Sequence, residues 1–185
     1  VSCIKDGYFD AFQTLVEKYQ HRVINTCFGF LKNKEDAEDV TQEVFIEVYK
    51  SIAGFREDSK LSTWIYRIAV TRSLDSIRRQ GRKKRELRSQ HKADSDDLEK
   101  RLAAPASNGP EVQFTNRERV RILKDAVDSL PQNQKIVITL NKYEGFSSEE
   151  IGEIMGMSLS AVEGLIHRAK KSLKKKLTRY YEKYG

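Results

Sequence analysis

The sequence predicts an all-α protein: two small helical domains joined by a flexible linker, the C-terminal one containing a helix-turn-helix. Three observations carry this. No stretch alternates with period two, whereas apolar residues recur at every third or fourth position along most of the chain. That periodicity fades from about Glu86 to Gly109, where Asp94, Asp96, Asp97 and Glu99 precede AAPASNGP, a composition for a tether rather than a packed element. Finally, Gly145 to Leu177 divides at a glycine into a short helix and a longer basic one.

The first helix is expected over Phe9 to Lys32, where Phe12, Val16, Tyr19, Val23, Cys27 and Leu31 line one face. Asn33 suits the N-cap of the next. Asp36 takes its third position, and the acidic first turn (Glu35, Asp36, Glu38, Asp39) complements the helix dipole. Ala37, Val40, Val44, Val48 and Ile52 carry that helix to about Ile52, and Gly54 breaks it. The polar loop Phe55 to Lys60 leads to a third helix from Ser62 or Thr63. This one buries Trp64 or Ile65 with Ile68 and Ala69, and runs into the basic stretch Arg78 to Arg88.

Beyond the linker, Pro110 can open a helix to Ser129, with Val120, Leu123, Val127 and Leu130 along one face. Pro131 suits a further helix start, with Ile136, Val137, Leu140 and Tyr143 as its stripe. Ser147 and Glu150 make a capping box for a short helix with Ile151, Ile154 and Met155 on its apolar face. Gly156 supplies the positive φ of a tight turn. Ser158 can cap the last helix, apolar at Val162, Leu165, Ile166, Ala169, Leu173 and Leu177. Its opposite face (Ser160, Glu163, Gly164, His167, Arg168, Lys171) is polar, increasingly basic and shaped for a major groove. The plainer alternative is an αα-hairpin with a solvated cationic face, so context decides.

Composition narrows the function. The 185 residues include 34 Lys and Arg against 27 Asp and Glu, a net charge of +7 that is clustered and so favours nucleic acid before membrane. Cys3 and Cys27 are too few for a disulfide framework, and His21, His91 and His167 have no second ligand at metal spacing. The carboxylates from Glu35 to Glu47 lack a histidine and read as a solvated or partner-facing helix face, so neither metal nor cofactor is expected. A Gly-rich phosphate loop, a His-Glu metal motif and a nucleophile-base pairing are all missing, so no enzyme is expected and no small-molecule substrate. No apolar run has transmembrane length and no signal-peptide pattern appears, so the cytoplasm is the expected address, without membrane insertion. Val1 is not an initiator residue, and residues are expected to precede it.

One segment points to melted nucleic acid. Phe55, Trp64 and Tyr66 interleave with Arg56, Lys60, Arg67 and Arg72, a mixture that suits unstacked bases held beside phosphates. The competing reading places Phe55 and Trp64 in the core, where Trp64 could still wall a pocket. RRQGRKKRELR continues the same helix and suits backbone contact.

In order, DAEDVTQEVFIEVYKSIAGF, FREDSKLSTWIYRIA, a variable acidic linker, LPQNQKIVITLNKYEGFSSEEIGEIMGMS and AVEGLIHRAKKSLKKKL resemble a bacterial RNA polymerase sigma factor of the extracytoplasmic-function group (group IV). The resemblance covers roughly residues 6 to 178. It implies that residues 1–85 are region 2, which binds core polymerase and recognises and melts the −10 element. Residues 86–110 would be the flexible acidic linker, and 111–185 region 4, whose helix-turn-helix recognises the −35 element.

By matching residue, Asp39, Gln42, Glu43 and Phe45 are the implied core-polymerase face. The implied −10 contacts are Phe55, Arg56, Ser59 and Lys60 of the loop, then Thr63, Trp64, Tyr66 and Arg67, with Arg72, Arg78 and Arg79 downstream. The implied −35 face is Ser160, Glu163, Gly164, His167, Arg168 and Lys171. Core RNA polymerase, promoter DNA and an anti-sigma factor are the implied partners. The chain departs from the family where Glu163 replaces a common basic residue, Leu165 a common Arg, and Thr71 a common Asn. Gly164 also costs a helix about 1 kcal/mol relative to Ala.

Two rivals remain at this point. An autonomous helix-turn-helix regulator predicts a dimerisation surface and a palindromic site, and leaves the first domain unexplained. A helical interaction adaptor would never melt DNA. Run-off transcription with core polymerase separates both from a sigma factor.

Overall fold

The computed structural model describes residues 9–90 and 116–184, which form seven α-helices with no strand among them. The first is α1 (Phe9–Leu31), ended by Lys32 in the left-handed region at φ 61°. Next comes α2 (Lys34–Ser51), where the Asn33 side chain accepts the Asp36 N–H as the sequence predicts. A single 3-10 turn over Ile52–Gly54 leads through the polar loop to α3 (Leu61–Gln90), which starts one residue before the expected position. Helices α1, α2 and α3 pack on one another around Val23, Cys27, Val44, Val48, Ile65 and Ala69. Of the predicted tether, residues 86–90 are still helical and 91–109 lie outside the described residues, as does Pro110.

The second half contains α4 (Asn116–Asp128), α5 (Gln132–Ile138), α6 (Ser148–Met155) and α7 (Leu159–Tyr184). Pro131 stands at the N-cap of α5 as expected. Two expectations are corrected here. Helix α4 buries Ile122, Ala126 and Val127, and Leu130 is buried just beyond its end; of the expected stripe Val127 and Leu130 are therefore buried, whereas Val120 and Leu123 are exposed. After α5 the helix does not continue regularly. Thr139–Tyr143 form a single wide π-turn closed by the Glu144 N–H on the Thr139 carbonyl at 3.2 Å. One extra residue per turn rotates the downstream chain by about 100° relative to an α-helix. Tyr143 thereby leaves the apolar stripe and is 61% exposed.

The two halves share one core cluster. Helix α3 packs along α6, and the Tyr66 ring meets Phe146 edge-on at 4.8 Å between centroids. No helix of the described residues is long and apolar enough to cross a membrane.

Candidate nucleic-acid interface

The helix-turn-helix is built from local rules. The Ser147 hydroxyl accepts the Glu150 N–H at 3.2 Å, and the Glu150 carboxylate accepts the Ser147 N–H at 2.8 Å, which completes the capping box. Gly156 closes α6 at φ 64°. The turn then doubles back so closely that the Met157 N–H donates to the Gly152 carbonyl at 2.9 Å. A Cβ on Gly152 would sit 2.9 Å from the Met157 carbonyl oxygen, so this second glycine is required by the turn, a role not visible in the sequence pattern. The Ser158 hydroxyl accepts the Ala161 N–H and starts α7. Buried Val162 and Ala169 seat that helix.

On the outer face of α7, Ser160, Glu163, His167, Arg168 and Lys171 are all exposed. Gly164 is half-buried because the Arg168 guanidinium folds back over it; a Cβ there would lie 3.3 Å from the nearest guanidinium nitrogen. The missing side chain thus makes a seat for Arg168.

In the first half, the predicted cations fall into two sets. Arg72 pairs with Glu47, and Arg79 with Glu43 at 3.6 Å, so these two lace α3 to α2. Arg78 pairs with Asp75 on its own helix at 3.1 Å. Arg56 and Arg67 are exposed and have no carboxylate within ion-pair distance among the described residues. They are the cations best placed to meet an anion.

The loop between α2 and α3 is pre-shaped. Phe55 is buried and stacks against half-buried Trp64 with centroids 5.0 Å apart, while Glu57 takes the left-handed region at φ 61°. A non-glycine residue there stores on the order of 1 kcal/mol of strain. Ser59 is half-buried and Lys60 caps α3, its carbonyl accepting the Trp64 N–H.

Four predicted site residues lie out of solvent and cannot touch a partner in this arrangement: Phe55, packed on Trp64, and three others. Phe45 belongs to the core and supports α2 from beneath. Thr63 is buried, and its hydroxyl has no hydrogen-bond partner. Tyr66 is fully buried beneath the second half, and its hydroxyl donates to Glu144 at 2.5 Å. Asp39 and Gln42 are exposed, and Glu43 is half-buried. The same face of α2 continues with Ile46 and Tyr49, 54% and 58% exposed, which the residue pattern did not single out. Their spacing from Asp39 and Gln42, three to four residues a step, was the available signal.

Glu144 is the other unforeseen residue. The π-turn aims it at the first half, where it accepts hydrogen bonds from Tyr66, from Thr26 at 2.8 Å and from Arg22 at 3.0 Å. Burial, and then the bond to Glu144, push the Tyr66 hydroxyl well above its ordinary pKa, so it remains a donor. A second tie joins Lys60 to Glu150 at 2.8 Å. The Lys60 ammonium holds the Glu150 carboxyl below its ordinary value, and Glu150 raises Lys60 in return.

This geometry defines a two-part helical protein with a helix-turn-helix, exposed and basic along its second helix, in one half and a cation-aromatic loop in the other. Comparison with known proteins gives the class: the Sigma-70 region 2 family matches residues 15–83, and the Sigma-70, region 4 family matches residues 121–173. The sigma-E factor of Haemophilus influenzae is 34% identical over 96% of this chain and 93% of its own. SigW of Bacillus subtilis is 32% identical over 94% of this chain and 92% of its own. The chain belongs to the extracytoplasmic-function RNA polymerase sigma factors. Two solved structures share its fold over both halves. CnrH, in complex with the cytosolic domain of CnrY, has TM-score 0.68 at 21% identity, covering 96% of this chain and 94% of its own. RpoE of Bartonella quintana, in complex with the anti-sigma factor NepR, has TM-score 0.67 at 20% identity, covering 91% and 97%.

Proposed function

We propose that this chain binds core RNA polymerase and directs promoter-specific transcription initiation, reading −35 with α7 and capturing −10 bases at the loop before α3. One observation carries the reading: a capped helix-turn-helix with an exposed polar and basic face shares a chain with a pre-shaped loop flanked by Arg56, Trp64 and Arg67. An autonomous regulator would need only the first of these. Two modest DNA contacts mounted on one polymerase gain from effective concentration, which suits the expected division into 1–85 and 111–185 with a linking segment between, its first residues to 90 continuing α3.

The assignments follow accessibility. Asp39 and Gln42, extended by Ile46 and Tyr49, form the polymerase-docking face of α2. Arg56, Ser59, Lys60, Trp64 and Arg67 hold the −10 strand, with Phe55 and Thr63 behind them and Arg78 toward the backbone. Tyr66 and Lys60 reach DNA only when their ties to Glu144 and Glu150 exchange for it. The chain performs no covalent chemistry and works in the cytoplasm.

An anti-sigma factor is a further partner. RpoE, which shares the fold, is bound to the anti-sigma factor NepR, and CnrH to the cytosolic domain of CnrY. Here a groove of about 420 Å³ between α1 and α4, with Phe28, Val120, Leu123 and Tyr143 along it, leaves apolar surface for a partner to cover.

Run-off transcription tests the function directly. Core polymerase plus this chain should yield discrete promoter-dependent transcripts where core alone does not. Core binding without start-site selection would reduce the chain to an adaptor. Replacing Phe55 to Lys60 by Gly and Ser should keep core binding but abolish permanganate reactivity of the −10 region. An undiminished signal would move base capture elsewhere.

A further inference from the structure

Helix α7 continues well past the reading face. Its 26 residues extend about 39 Å at 1.5 Å per residue, and the family match ends at residue 173. Along the continuation, Lys170, Lys171, Lys174, Lys175 and Arg179 are exposed. Lys171, Lys174, Lys175 and Arg179 line one surface together, so they extend the side of the helix that already carries His167 and Arg168. None of them has a carboxylate within ion-pair distance among the described residues.

Local helix chemistry does not explain this stripe. Lys170 and Lys174, Lys171 and Lys175, and Lys175 and Arg179 are like-charged pairs at i, i+4, an arrangement that weakens a helix. Stabilisation by the helix dipole falls off within the last turn, whereas Lys170 to Lys175 lie two turns or more before Tyr184. The opposite side of the same turns is occupied. Leu177 and Tyr180 line a seam with Ile122 and Ala126 of α4, and the Lys176 ammonium donates to the Ser129 carbonyl at 3.4 Å. With most of the apolar side packed against protein and Tyr181 the large exposed hydrophobic left on these turns, the segment offers little to insert into a lipid surface. A rigid, one-sided row of cations that shares its surface with a single carboxylate, Glu182, calls for a regular polyanion.

The row is also placed to meet one. From Ser160 to Arg179 the axis advances about 28 Å, against a major groove about 12 Å wide. A helix seated in the groove at Ser160 to Lys171 must leave it before Arg179, and the side facing the groove then passes the flanking phosphates. We infer that Lys174, Lys175 and Arg179 form a duplex-DNA backbone site that extends the −35 contact beyond the element itself, adding affinity without sequence information. This deepens the reading of α7 as the −35 helix and rests on it.

The test uses holoenzyme assembled from core polymerase and the full chain. The probe is a duplex selected from a randomised pool by the parent holoenzyme, in a short form and a form with added flanking base pairs. The triple variant Lys174→Gln, Lys175→Gln, Arg179→Gln keeps good helix formers, and circular dichroism verifies the fold. Three lost phosphate contacts should lower the slope of log affinity against log salt by about 2–3. The affinity gained from flanking duplex should shrink, and the base preferences within the selected site should remain. Lys176→Gln, on the packed side, should leave the slope unchanged. An unchanged slope in the triple variant, or a loss of core binding in its place, overturns the site; the latter would assign this face to polymerase. Failure of the underlying reading looks different: the parent holoenzyme would select no preferred sequence. The salt slope on random duplex still reports the arm in that event.

Discussion

Replacing Glu144 by Ala removes the acceptor on which three side chains of the other half converge. Tyr66 and Thr26, 0% and 1% exposed, would each keep a buried hydroxyl facing an empty space. Bonds from such groups to a carboxylate are worth about 1.5–3 kcal/mol each, and an orphaned buried donor bears the full desolvation cost. Arg22 contributes less. Its side chain is 53% exposed, so its pair with Glu144 adds about 0–1 kcal/mol, and its second bond, to the Glu144 carbonyl, survives the substitution. The expected loss is therefore about 3–5 kcal/mol. Urea unfolding followed by circular dichroism should show it as a lower midpoint, or as a separate early transition if the halves undock first. Glu144→Gln keeps shape and one acceptor oxygen and should cost less than half as much. In a double-mutant cycle, Tyr66→Phe and Glu144→Gln should couple by about 1 kcal/mol or more. A Glu144→Ala variant within about 0.5 kcal/mol of the parent would refute the reasoning, since surface carboxylates typically fall in that range.

Three further outcomes rest on local geometry. Because Glu150 titrates below its ordinary value of 4.5 when folded, its stabilisation is complete above that pH and lost as pH falls through the folded value. Glu150→Gln should therefore flatten the acid limb of a stability-pH curve, and an unchanged limb would remove the carboxylate from that role. Gly152→Ala forces a Cβ against the Met157 backbone, so urea denaturation should show a loss of about 1–3 kcal/mol; a neutral result would mean the turn can open. Gly164→Ala meets only the mobile end of Arg168, so it should gain up to about 1 kcal/mol of helix stability while displacing that guanidinium. Its signature is altered −35 base preference in a protein of equal or higher stability, and preferences identical to the parent would make Gly164 a spacer only.

Local features were legible because their causes lie within four residues. The Asn33 cap, the Ser147–Glu150 box and the left-handed Gly156 each depend on a side chain and a backbone group in the same turn. Apolar periodicity located the helices for the same reason. It failed at Val120, Leu123 and Tyr143, where a stripe can be drawn through two neighbouring registers and only the packing partner selects one. The π-turn at Thr139–Tyr143 has no pattern of its own, so the rotation it causes, and with it the aim of Glu144, was hidden. Within the candidate site, residue type nominated Trp64, Arg67 and Arg168, which the structure leaves half-buried or exposed. It could not tell Arg72 and Arg79, which are tied to α2 carboxylates, from Arg56 and Arg67, which are not.

The seam between the halves contains ties of very different strength, and this bears on how the −10 residues become available. Lys60 keeps 76% of its side chain in solvent, so its pair with Glu150 is screened and exchanges easily for a phosphate. Tyr66 is fully buried against Phe146 and bonded to Glu144, so its release exposes apolar surface and breaks charge-assisted hydrogen bonds. DNA contacts at the loop alone, at about 1–3 kcal/mol per stacked base, match the first tie but not the second. On the proposed assignment, docking on core through α2 would close the difference, because a ligand shifts a conformational equilibrium only by its differential affinity for the two states. On the proposed assignments, the expected order of events is docking on core, separation at Glu144, and base capture at Phe55 to Lys60. Glu144→Gln separates these steps experimentally. By weakening the seam and leaving both reading faces intact, it should accelerate open-complex formation at fixed core concentration. A slower rate, with core affinity unchanged, would show that Glu144 serves the open state and not the closed one.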